Sequence, residues 1–283
     1  MAFVHQTRFV TTNHEIRQDR NIGQQILADA RSRIQPLVAA WNAFPQPQPG
    51  SALSQINALN EYKPFSYQVR DLLTVSVDSL RMLDRYIGQT NEIPMVAHYA
   101  LIRSAVEASS FGIWLMNAGT NQKKAWLSLR LSYENNEDLE GLERVLASSD
   151  SPTPNRDDIR RRLLQIQQTI PDYRSHDITR RPTTTNVVAE ADKYMTRKQT
   201  YARGVQVWKA CSGVAHANSD VIHALLERQP AAEPDELGQK FLLTSRVALT
   251  AGFILTAVEN TEELERMFRG GCVAPHASSS RRR

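Results

Sequence analysis

Cysteine is scarce: Cys211 and Cys272 are the only two in 283 residues, too few for a disulfide framework. Reduced thiols in a cytoplasmic setting are expected, with Cys272 in a tail rich in Gly, Ala, Ser and Arg. The opening residues MAFVHQTRFVTTNHE carry neither an apolar run nor a small-residue cleavage site, so no export signal is expected. Two segments are apolar enough to raise the question of a membrane, 93–116 and 247–258. His98, Arg103 and Glu107 interrupt the first and the second is too short, so both are expected to be buried helices. Asn-Gly and Asp-Gly hairpin turns, sustained alternation of β-branched residues, a Gly-rich phosphate loop and a Gly-x-Ser-x-Gly elbow are all missing. These absences argue against a β-rich fold, a nucleotide-binding loop and a serine hydrolase, and no cofactor is expected.

What the chain does contain is apolar spacing of three and four, which predicts an all-α helical bundle with long central helices. The expected helices span 15–44, 67–87, 93–117, 121–146, 156–170, 187–194, 201–217, 220–228 and 236–268. PQPQPGS after the first reads as a stiff connector, and Pro94 and Gly119 punctuate the third. The helix over 121–146 turns acidic through Glu134, Glu137, Asp138, Glu140 and Glu143, which predicts a solvated distal half. One helical domain is expected over 1–269, with residues 1–90 forming N-terminal helices and 93–269 the bundle core. Residues 270–283 read as a disordered basic tail. The net charge of +4 includes the terminal Arg281, Arg282 and Arg283, so the folded part is nearly neutral. Arginine outnumbers lysine 27 to 7, compatible with phosphate recognition and equally with a GC-rich coding sequence.

Two stripes carry the polar chemistry. On the third helix Val96, Tyr99, Arg103, Glu107, Ser110 and Trp114 align, so a charged pair interrupts an apolar helix. On the helix over 201–217, Tyr201, Val205, Trp208, Ser212 and His216 align with polar groups at the C-terminal end. Buried charges need partners, so Arg103 and Glu107 are expected to meet each other or Ser212 and His216. Arg103, Glu107, Ser212 and His216 are the candidate catalytic set, with the imidazole as acid or base and the guanidinium holding a phosphate or carboxylate. The alternative is a network that only fixes helix register, with Trp114 and Trp208 as core fillers. A third arrangement, His216, Asp220, His223 and Glu227, would share one face and hold a divalent metal if the helix ran unbroken through Asn218. Asn218-Ser219-Asp220 instead reads as a break with its own cap. Cys211, five residues before His216, projects from another face.

The segment HYALIRSAVEASSFGIWLM (98–116), Arg130 in the next helix, and VWKACSGVAHAN (207–218) together resemble uncharacterised helical proteins of actinobacteria and their phages. The resemblance covers 95–225 and rests on an Arg-x-x-x-Glu helix followed by Trp-x-x-x-Ser-Gly-x-x-His. More distantly, the chain is similar to the HEPN superfamily, whose members include metal-independent ribonucleases with Arg-x4–6-His. That spacing occurs here at Arg8 to His14 and Arg269 to His276, outside the expected core, and no arginine stands at that distance before His216. The resemblance implies binding or cleavage of RNA, or of another phosphate-bearing ligand, in host–phage conflict or stress response. Two alternatives stand beside it: a non-catalytic module that recognises a protein partner, and a metal-binding bundle. Small residues such as Ala97, Ala100, Ala105, Ala108 and Gly112 permit close packing within or between chains, so a homo-oligomer is compatible with the sequence.

Overall fold

Residues 15–146, 156–231 and 240–275 are described by the computed structural model. They form ten α-helices and one short hairpin: α1 Arg17–Asn42, α2 Ala52–Asn57, α3 Phe65–Thr90, α4 Ala97–Met116, α5 Asn121–Leu146, α6 Arg156–Gln168, α7 Thr184–Ala191, α8 Gly204–Ala215, α9 Ser219–Leu225, β1 Glu227–Pro230, β2 Phe241–Thr244 and α10 Val247–Cys272. The all-α expectation holds. Among the described residues no helix is long and apolar enough to cross a membrane.

α4 and α10 share the centre, and α1, α3 and α8 pack around them. α10 is buried without interruption from Leu249 to Val258, as a helix apolar all round must be. α3 is one-sided: Val69, Leu73, Val77, Leu80, Leu83 and Ile87 are buried at its core face. The core face of α1 runs through Gly23, Ala30, Ile34 and Leu37, and Ile22 is exposed. A Cβ on Gly23 would lie 2.5 Å from the Ala248 backbone, so only glycine lets α1 and α10 approach there. Gly112 likewise makes room on α4 for the Leu264 side chain, to which a Cβ would come within 2.5 Å.

Three helix boundaries differ from those expected. The last long helix begins at Val247, not near residue 236, because Glu227–Pro230 pairs antiparallel with Phe241–Thr244 in the register Glu227↔Thr244 and Pro230↔Phe241. Helix α9 therefore ends at Leu225. α10 does not stop at Gly270-Gly271 but runs on to Cys272, which is buried rather than part of a tail. α2, capped by the Ser51 hydroxyl accepting from the Ser54 N–H at 3.2 Å, follows the PQPQPGS connector in a stretch assigned to no expected helix, and its Leu53 and Ile56 are buried. The acidic distal half of α5 is largely solvated, as expected, and its carboxylates also pair with arginines of α6 and of the connector after it. Arg160 donates to Glu137 at 2.5 Å and also pairs with Glu140; Arg156 pairs with Glu143, and Arg181 with Asp138 at 2.9 Å.

Candidate functional site

α4 and α8 pack side by side and bring the two polar stripes together. The Arg103 Nε–H donates to Ser212 Oγ at 3.0 Å, and Arg103 Nη2 lies 3.2 Å from Glu107 Oε2, one turn along α4. The same carboxylate oxygen accepts from the Trp208 indole N–H at 2.7 Å. The Arg103 guanidinium stands 5.9 Å from the centre of the Trp208 ring. Four side chains from two helices thus close one network in which the positive charge, the carboxylate, the hydroxyl and the indole each have a partner.

Its setting differs from the expected buried one. Side-chain exposure is 32% for Arg103 and 31% for Glu107, so the network lies at the edge of the α4–α8 seam. Tyr99 and Ser110 on the same expected stripe are fully buried. An ion pair with a third of each side chain in water contributes about 0–1 kcal/mol, and the neutral hydrogen bonds add a similar amount each.

His216 is brought near this network but not into it. It terminates α8, its backbone N–H bonding the carbonyl of Ser212 one turn earlier, and its side chain is exposed. Among the described residues no hydrogen bond or ion pair engages its imidazole. Ser212 is the expected partner that did join; Trp208 is the unexpected one, half-buried and acting as a donor rather than as core filler. Its alignment with Ser212 was visible in the sequence, but which face of α8 meets Glu107 depends on the neighbouring helix.

The metal arrangement does not form. Ala217 takes φ 53° and the Asn218 side-chain Oδ1 accepts from the N–H groups of Asp220 and Val221 at 3.1 and 3.2 Å, so α9 starts afresh with its own cap. Glu227 is buried in β1, where Arg20 donates to it at 3.3 Å. Among the described residues no group of three or more His, Cys, Asp or Glu side chains is placed to hold a metal ion. The Arg8–His14 pair and His276 lie outside the described residues; Arg269 pairs with Glu265 and donates to the Ala40 carbonyl at 2.9 Å. Arg130 lies 4.8 Å above the Trp126 ring and donates to the Arg180 carbonyl at 3.1 Å, pinning the connector after α6.

Two other titratable groups are buried where α4, α8 and α10 meet. His98 is fully buried; its Nδ1 lies 2.6 Å from the Pro94 carbonyl, which can only accept, so Nδ1 carries the proton. Nε2 then accepts from the Thr250 hydroxyl at 3.2 Å. Burial pushes the imidazole down to about 4, so it stays neutral. Burial likewise pushes the Cys211 thiol well up, which keeps it protonated and inert. No family model matches the chain, and no curated protein or solved structure gives a significant match.

Proposed function

We propose that this chain is a non-catalytic interaction module which recognises a protein surface through the outer face of α3, and that the α4–α8 network is structural. The observation that carries this reading is a single exposed stripe. Tyr67, Val75, Met82 and Tyr86 are 51, 48, 47 and 41% exposed, and all lie on the side of α3 away from the core. Large apolar side chains gathered on one solvent face mark association sites more often than isolated ones do. The α4–α8 network supports the non-catalytic half of the reading, since Arg103 and Glu107 are engaged by the chain's own groups and, among the described residues, no group orients the His216 imidazole.

A photo-crosslinking amino acid at position 75 or 82, in cells expressing the chain, tests this. Discrete protein adducts are expected, lost when Tyr86→Asp places a charge beside the probe. Absence of protein adducts from either position would contradict the reading.

A second reading, binding or cleavage of RNA or another phosphate-bearing ligand, as the HEPN-like resemblance implies, draws on a different observation. The half-exposed Arg103 over the half-buried Trp208 ring offers a guanidinium and an aromatic surface at one place. Cleavage assays with Arg103 and His216 variants separate it from the first.

A further inference from the structure

The outer face of α3 is also polar in a directional way. Spacings of 4, 4, 3, 4 and 4 put Tyr67, Asp71, Val75, Asp78, Met82 and Tyr86 on one line, about 28 Å long at 1.5 Å per residue. Asp71 stands in the first half beside Arg70, Asp78 and Arg81 lie near the middle, and Arg85 stands in the second half. Asp78 is matched internally, by Arg81 Nη2 at 2.7 Å. Asp71 and Arg85 are both exposed, stand nearly four turns apart, and have no ion-pair partner among the described residues. The face therefore ends in an unmatched negative charge on one side and an unmatched positive charge on the other, with Val75 and Met82 between them.

We infer that the occupant of this face is a second copy of the chain, packed on α3 antiparallel about a two-fold axis near Asp78 and Ser79. This rests on the reading of α3 as an interaction face and names its partner. In the antiparallel register Val75 of one copy meets Met82 of the other, and Asp71 meets Arg85 and Tyr86, each contact occurring twice because the axis is two-fold. The Asp78–Arg81 pair keeps two bare carboxylates from meeting there. Parallel packing would set Asp71 against Asp71 and Arg85 against Arg85, so the charge order selects the antiparallel arrangement. Arg70 acts on the Asp71 carboxylate at a distance without pairing with it, its guanidinium standing 5.8 and 5.4 Å from the rings of Phe44 and Tyr67.

One helix pair of this length falls at the small end of specific interfaces, below about 1,200 Å² of total buried surface, so association in the micromolar range is expected. Sedimentation equilibrium of the purified full chain, from about 1 to 200 μM to bracket that range, reads it directly. The average mass is expected to rise toward twice that of the chain. Met82→Asp should abolish the rise. Asp71→Arg and Arg85→Asp should each weaken association at least tenfold, and the two combined in one chain should restore it to within about threefold of wild type, because each new arginine then faces a new aspartate. All these positions are exposed on a helix, and circular dichroism verifies that each variant is folded.

A chain that stays monomeric at every concentration overturns the inference, as does a dimer indifferent to Met82→Asp, or single charge reversals that the combination fails to rescue. A monomer that still yields crosslinks to another protein from position 75 would overturn self-pairing alone and leave the interaction reading standing.

Discussion

Glu15, two residues before α1, caps α10 from far away in the chain: its carboxylate accepts from the N–H of Val247 at 3.0 Å and of Ala248 at 2.7 Å. The helix's own flanking residue, Arg246, supplies no side-chain cap. A buried anion on otherwise unpaired N–H groups is favourable both as hydrogen-bond acceptor and toward the helix dipole. Glu15→Ala is expected to cost about 1–2 kcal/mol, read as a shift of the urea midpoint at unchanged slope. A loss below a few tenths of a kcal/mol would show that solvent caps α10 equally well.

His98 predicts a stability that depends on pH. Its pKa is 6.5 when free and about 4 in the fold, so below pH 6.5 the unfolded chain binds the proton that the folded chain refuses. Stability from this group is complete above pH 6.5 and is lost as pH falls toward about 4, by about 3 kcal/mol in total for a shift of this size. His98→Gln removes the titration. Unfolding free energies measured at pH 7, 6, 5 and 4 should fall more steeply for wild type than for the variant; parallel curves would contradict the assignment.

Gly252 lies under the Tyr201 ring, and a Cβ there would come within 2.2 Å of the ring carbon Cδ1. Gly252→Ala should therefore cost about 1–3 kcal/mol by overpacking, despite the better helix propensity of alanine. Tyr201→Ala removes the obstacle, so the double variant should be less destabilised than the sum of the two single ones. Strict additivity would mean that the ring moves aside freely.

The architecture was legible where it depends on local spacing. The core face of α3 follows from apolar residues three and four apart, the burial of α4 and α10 follows from their apolar composition, and the link between Arg103 and Ser212 follows from aligning two stripes that each needed polar partners. What escaped depends on tertiary context. Four-residue strands with no alternation and no tight-turn dipeptide leave no signal for the β1–β2 hairpin, which exists because the chain folds back between α9 and α10. The capping role of Glu15 joins residues more than two hundred positions apart. Whether Arg103 and Glu107 are buried or half-exposed depends on how α8 lies against α4, and the same packing leaves His216 at the rim while Trp208 takes the place beside Glu107.

The most direct test of the α4–α8 network as structure rather than catalytic machinery is cleavage of a mixed RNA pool, in chelator, by wild type and by Arg103→Ala and His216→Ala variants verified as folded. The account predicts no cleavage by any of the three, with Arg103→Ala less stable by about 1–2 kcal/mol, because Glu107 and Ser212 lose a charged partner, and His216→Ala unchanged within about 0.5 kcal/mol. Cleavage by the wild type that both folded variants lose would contradict it.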